Sequence, residues 1–165
     1  MNPYKQDVIK SWSELHRDSR ELAWKLLHIA KDRKSPWKGI IAITRGGMIP
    51  AAIVSRELNI RLVDTFCIST YEGQDINTLK VLKDVMLDTD GEGYLVIDDL
   101  VDTGTTLATV RERLPKAQIC TLYVKPAGKH LVDSCVYEYS QETWVRFPWD
   151  LELGYAEPMV SFSND

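Results

Sequence analysis

The stretch Tyr94-Leu-Val-Ile-Asp-Asp-Leu-Val-Asp-Thr-Gly-Thr-Thr106 constrains this chain more than any other. Tyr94 to Ile97 is apolar and rich in β-branched residues, which reads as a buried strand. Asp98, Asp99 and Asp102 follow, then Thr103, Gly104, Thr105 and Thr106, then Leu107, Val110 and Leu114 at helical spacing. The order is therefore strand, acidic turn, Gly/Thr loop, helix. In an open α/β sheet, ligands bind outside the carboxyl ends of the strands. A Gly/Thr loop opening a helix offers backbone N–H groups, hydroxyls and a positive dipole end, which suit a phosphate. Two sequential strand-end aspartates send their side chains in different directions. Such a pair can hold sugar hydroxyls or a hydrated Mg2+, and Asp102, deeper in the turn, can take a proton. Taken singly, each residue reads as a solvated turn carboxylate or a helix cap; it is the cluster that departs from that reading. The loop is neither a Walker A sequence nor G-x-G-x-x-G.

A second turn has a similar shape. Gly39 to Ile43 is an apolar run, predicted as a central strand, and Thr44-Arg45-Gly46-Gly47 follows it. Met48 to Leu58 reads as a helix with Pro50 in its first turn. The two glycines permit close backbone approach, and Arg45 carries a fork that fits phosphate oxygens. Upstream, Ser11-Trp-Ser-Glu14 fits a capping box. Trp12, Leu15, Leu22, Leu26 and Ile29 form a stripe that predicts a helix to about Asp32, with Trp12 and Trp24 as packing residues. Strands are expected at Arg61–Ser69, Leu79–Val85 and Gln118–Val124, the last stopping at Lys125-Pro126. On spacing alone, Lys80 reads as a surface lysine and Trp144 as core, while Lys125, at a strand's carboxyl end, reads equally as a surface lysine or as one that reaches into a site and donates to a carbonyl oxygen.

The chain has 165 residues, one domain's length, and a formal charge of −4. That charge argues against a general nucleic-acid binder, so an anionic substrate must be held by local cations or metal. The apolar runs are far shorter than a membrane span, and the N-terminus lacks the apolar core of a signal peptide. Cys67, Cys120 and Cys135 are odd in number and widely spaced, which predicts buried free thiols and a reducing cytoplasm. The three histidines show no metal-ligand spacing.

Val96-Ile-Asp-Asp-Leu-Val-Asp-Thr-Gly104 resembles the 5-phosphoribosyl pyrophosphate (PRPP) signature of the type I phosphoribosyltransferases. Gly39–Gly47, Leu79–Lys83, Lys125-Pro-Ala-Gly128, Gln141-Glu-Thr-Trp-Val145 and Pro148-Trp-Asp150 are similar to the bacterial xanthine-guanine branch of that family. The resemblance spans Trp37 to Asp150. It implies an α/β fold: a central, mostly parallel sheet flanked by helices, with a flexible flap at about 70–78 and a small purine-binding hood built mainly from the C-terminal part, all in one domain. It implies a pyrophosphate-binding loop at Arg45, Gly46 and Gly47 with a non-proline cis peptide at Thr44–Arg45, and Lys80 near the same group. Asp98 and Asp99 would take the ribose and, through Asp99, Mg2+; Thr103, Gly104, Thr105 and Thr106 would grip the 5′-phosphate. Lys125, Trp144 and Val145 would read the purine, and Asp102 would meet its N7. Thr70 and Thr105 depart from residues common among relatives.

The expected reaction is transfer of 5-phosphoribose from PRPP to guanine or xanthine, and more weakly to hypoxanthine, giving GMP or XMP and pyrophosphate. A homotetramer and loose association with the inner membrane face are implied by resemblance alone. The alternatives are a hypoxanthine-guanine type enzyme, a non-catalytic PRPP or nucleotide sensor of the same fold, and a generic doubly wound protein with acidic turns.

Overall fold

The computed structural model describes residues 5–71 and 78–150, with the side chains of 70, 71 and 78 left aside. The apolar runs become the inner strands of a six-stranded sheet. Its members are β2 (Gly39–Thr44), β3 (Val63–Tyr71), β4 (Thr78–Lys83), β5 (Tyr94–Val101), β6 (Gln118–Val124) and β7 (Ser134–Glu138), in the order β4-β3-β2-β5-β6-β7. Only β4 runs antiparallel to its neighbour. A parallel sheet needs crossover connections, and these lay helices on both faces. α1 (Trp12–Arg33) and α2 (Met48–Glu57) share one core cluster with Ile40, Ala42, Leu95, Ile97 and Leu122. α3 (Thr105–Arg113) packs its Leu107 and Val110 on the other face, against Ile41, Ile43, Val96 and Ile119. The alternation along β2 is the two-residue period of a strand buried on both sides.

α1 starts at the expected capping box: the Glu14 amide donates to Ser11 Oγ at 3.2 Å, and the Ser11 amide donates to Glu14 Oε2 at 2.9 Å. Leu15, Leu22 and Leu26 are fully buried. Trp12 and Trp24 correct the expectation that they are packing residues, since they are 54% and 57% exposed. Trp12 meets Trp149 in a tilted arrangement, with ring centroids 5.9 Å apart. Of the three free thiols, Cys120 is buried as expected, while Cys67 and Cys135 are only half-buried.

Two further corrections concern extents. β5 does not end at an acidic turn; it runs through Asp98 and Asp99 to Val101, because β6 offers pairing partners as far as Val124. Thr105 and Thr106 accordingly stand in the first turn of α3 rather than in a loop. A strand absent from the sequence reading, β1 (Gln6–Ile9), pairs in parallel with β8 (Thr143–Arg146) in a separate two-stranded sheet. Its polar pattern gives no local sign of a partner so distant in sequence. β7, short and of mixed polarity, was likewise not anticipated. Most of the expected flap lies outside the described residues; its flanks are the antiparallel β3 and β4.

Candidate active site

The chain winds outward from β2 through β3 on one side and from β5 through β6 on the other. The crevice between the tips of β2 and β5 is therefore the switch point where α/β sheets bind ligands. The Thr44–Gly47 turn leaves β2 there, the Asp98–Thr106 segment leaves β5, and Lys125 ends β6 one strand further on.

The first two of these segments touch. A Cβ on Gly46 would fall 2.2–2.5 Å from the carboxyl atoms of Asp99. A Cβ on Gly47 would fall 2.3 Å from the Ile97 carbonyl oxygen and 2.7 Å from that of Ile43. Only glycine lets the turn lie this close to β5. The Thr44–Arg45 peptide is cis, as the resemblance implies. Arg45 is exposed at the mouth of the turn, and Thr44 Oγ1 beneath it is a buried oxygen with no partner among the described residues.

On β5 the turn after Val101 is closed by Gly104, whose φ of 85° suits glycine. The 3-10 turn Pro126–Leu131 presses against it: a Cβ on Gly104 would meet the Gly128 Cα at 3.1 Å. The first internal bond of α3 runs from the Ala108 amide to the Gly104 carbonyl, at 2.9 Å. No side chain caps the helix among the described residues. Its leading N–H groups therefore face a cavity of about 330 Å³ bounded by Leu79, Asp98, Asp102 and the Thr103–Thr106 segment. The hydroxyls of Thr103 and Thr105 lie 2.9 Å apart on its rim. Helix-start amides, hydroxyls and a concave wall together make an anion cradle.

Asp102 is not a solvated turn residue. Its Oδ2 accepts from Lys125 Nζ at 2.9 Å, and its Oδ1 accepts from Gln141 Nε2. The Lys125 side chain is 2% exposed and the Asp102 side chain 37%. A buried ammonium requires a partner, so the surface reading of Lys125 is wrong. Gln141, in the loop before β8, is the site residue that sequence reasoning missed; it lay inside the Gln141–Val145 segment quoted for resemblance, but no role was attached to it. Trp144 and Val145 follow on β8. Trp144 is 41% exposed, whereas Val145 packs into the core beside Tyr123 and Phe147. Lys80 stands exposed on β4, beyond β3 from the crevice.

The comparisons with known proteins meet this geometry. A family profile described as "Phosphoribosyl transferase domain" matches residues 5–156. The chain belongs to the phosphoribosyltransferase family. It is 52% identical over 159 residues to a xanthine-guanine phosphoribosyltransferase of Nitratidesulfovibrio vulgaris (strain DP4), covering 96% of this chain and 93% of that one. It is 53% identical over 156 residues to a protein of the same name from Idiomarina loihiensis, covering 94% of each. A crystal structure of a purine phosphoribosyltransferase from Pyrococcus horikoshii matches with a TM-score of 0.74 and 25% identity, over 96% of this chain and 99% of that one.

Phosphoribosyltransferases of this family generally use Mg2+ with PRPP. The acidic pair fits such an ion. Burial pushes the Asp98 carboxyl well above the usual range, and the neighbouring Asp99 charge pushes it further. Burial likewise raises Asp99, helped by the charge of Asp150 and opposed by hydrogen bonds from its surroundings. Crowded carboxylates of this kind gain from a divalent cation. Among the described residues no three or more His, Cys, Asp or Glu side chains gather as a metal cage. Mg2+ takes one or two carboxylates, which a pair such as Asp98 and Asp99 can supply, and completes its shell with phosphate and water. No described helix is long and apolar enough to cross a membrane.

Proposed function

We propose that this phosphoribosyltransferase moves the 5-phosphoribosyl group of PRPP to N9 of guanine or xanthine, and more weakly of hypoxanthine, releasing pyrophosphate and the nucleoside monophosphate. The support is the convergence of three strand tips: an Arg-Gly-Gly turn against an acidic pair, an anion cradle, and a carboxylate bonded to a buried lysine. The relatives that bear a xanthine-guanine name at about half identity favour these bases over others.

In this reading the Thr103–Thr106 segment, with the Gly104 turn, grips the 5′-phosphate through amides and hydroxyls. Asp98 and Asp99 take the ribose hydroxyls, and Asp99 is the residue that holds Mg2+. When bound, the ion neutralises charge on the departing pyrophosphate. Arg45, the amides of Gly46 and Gly47, and Lys80 hold that same leaving group. As it departs, the anomeric carbon gains cationic character, and fixed reactants approach in line. Asp102 accepts the N7 proton, or bonds it, while N9 attacks. Lys125 donates to the purine O6, which selects oxopurines over adenine, whose amino group cannot accept that bond. Trp144 stacks on the base, a contact worth about 1–3 kcal/mol, and the Val145 backbone reads its edge.

The three cysteines are free thiols, which suits a reducing cytoplasm. The homotetramer, and loose association with the inner membrane face, belong to this proposal by resemblance. The deciding assay offers guanine, xanthine, hypoxanthine and adenine in turn to purified protein with Mg2+ and PRPP. Nucleotide from guanine and xanthine, less from hypoxanthine and none from adenine is expected. Nucleotide from none of them defeats the reading and leaves the PRPP-sensing alternative, which a PRPP-binding measurement then tests.

A further inference from the structure

Gln141 joins three parts of the site. Its Nε2 donates to Asp102 Oδ1, and its Oε1 accepts from the Ala127 amide at 3.0 Å. A backbone N–H can only donate, so the oxygen of the Gln141 amide must face Ala127 and its nitrogen must face Asp102. Asp102 Oδ2 is held by Lys125 Nζ at 2.9 Å. One carboxylate thus leans on a neutral donor with one oxygen and on a cation with the other. The two donors differ in what the base asks of them. Lys125 is the group that must also serve a purine carbonyl. Gln141 is anchored to main chain two residues past Lys125 and owes nothing to the base.

We propose that Gln141 is a positioning residue: it fixes Asp102 Oδ1 so that the carboxylate keeps its aim at the purine N7 when Lys125 turns a donor to the base. This rests on the reading of Asp102 given above. Without Gln141 the carboxylate loses its neutral anchor and follows the ammonium when that moves. A shift of that kind at a reacting centre is costly out of proportion to its size. Because Ala127 follows Lys125-Pro126 and Trp144 stands three residues past Gln141, the same amide also couples the lysine that reads the base edge to the strand that carries the stacking indole.

The test is a double-mutant cycle on turnover with PRPP and guanine, using Gln141→Leu, Gln141→Glu, Asp102→Asn and the Gln141→Leu/Asp102→Asn pair. Gln141→Leu should lower kcat about tenfold or more while the PRPP KM holds. Gln141→Glu keeps the acceptor for Ala127 but sets an anion against Asp102, so it should fall at least as far. In the Asp102→Asn background the Gln141→Leu loss should shrink to within about twofold, because coupled residues are not additive. Wild-type turnover in Gln141→Glu overturns the proposal, since then only the Ala127 contact mattered. Losses that multiply overturn it too and leave the Asp102 reading intact. Full activity in Asp102→Asn instead defeats that reading, and this proposal with it. Gln141→Glu is nearly isosteric, so the proposal stays testable if the leucine variant fails to fold.

Discussion

Asp98 and Asp99 hold their charges at a cost set by burial and by neighbouring carboxylates. Their folded pKa values are raised, so the folded chain binds these protons more tightly than the unfolded chain does. The contribution of this pair is therefore fully present below the ordinary carboxylate value of about 4 and is lost as pH rises through the raised values, the full cost standing above them. Asp98→Asn removes one charge and keeps an oxygen for the Asp99 amide, which donates to Asp98 Oδ1 at 2.9 Å. The variant should melt higher than wild type at pH 8, with a flatter pH dependence, and bind PRPP more weakly. Calorimetry across pH checks this, and an equal or lower melting temperature at pH 8 refutes it. Just past the end of the same strand, Asp102→Asn should cut turnover by about 10²-fold or more while PRPP binding survives; steady-state kinetics with calorimetric PRPP titration decides. Lys125→Ala should weaken purine binding more than PRPP binding, and the reverse ordering counts against its place at the base. The acids were legible because three of them precede Thr-Gly-Thr-Thr directly. Lys125 was half legible: its place at a strand's carboxyl end left a surface residue and a site residue equally open, and nothing in a Lys-Pro pair announces that its ammonium is buried. Gln141 was silent because its role depends on a fold-back that a polar turn does not encode.

Elements place these residues, and two of them show how. The Thr44–Gly47 turn lies so close to β5 that any side chain at Gly47 collides with main chain. Gly47→Ala should therefore destabilise by about 1–3 kcal/mol or more, read by urea denaturation, and weaken PRPP binding beyond what the stability loss explains. β6 is pinned to α1 by a buried polar knot. The Tyr123 hydroxyl donates to Asp18 Oδ2 at 2.6 Å, and Lys10 and Arg17 flank the same carboxylate at 3.3 and 2.9 Å. Burial and the Asp18 charge push the Tyr123 hydroxyl well up, so it remains a donor at any working pH. Burial works against the Asp18 charge, yet the Tyr123, Arg17 and Lys10 bonds outweigh it and hold its pKa below the usual value. Tyr123→Phe should lower unfolding free energy by about 1.5–3 kcal/mol, the worth of a hydrogen bond to a charged group; a change below about 0.5 kcal/mol contradicts the knot, being the size of an ordinary surface substitution. Apolar periodicity revealed the strand cores and both α1 ends. It did not reveal that β5 continues through its aspartates, because β6, not local sequence, sets that length. Packing was also the wrong reading for Trp12, which counts toward the stripe although the fold leaves it exposed, and for Trp24, which lies off the stripe.

At the scale of the molecule, a mostly parallel α/β sheet flanked by helices was what the resemblance implied, and the sheet is one. Its order, and the antiparallel β4, came from the structure alone, since hydrophobic spacing carries no information on which strand lies beside which. Ligand linkage gives a test at this scale: PRPP with Mg2+ at about 100 times its Kd should add about 2.7 kcal/mol of stability, read as a rise in melting temperature that Arg45→Ala diminishes. The β1–β8 pair has a consequence for biosynthesis. Gln6 is opposite Thr143 and Ile9 is opposite Arg146, in register. β1 must wait for β8 before it can close its ladder, about 7–27 seconds at ribosomal speeds of about 5–20 residues per second. A nascent chain arrested before Thr143 would hold the six sheet strands while its leading segment still lacked a mate, so a ribosome-stalled intermediate should expose Gln6–Ile9 to a protease that spares it after release.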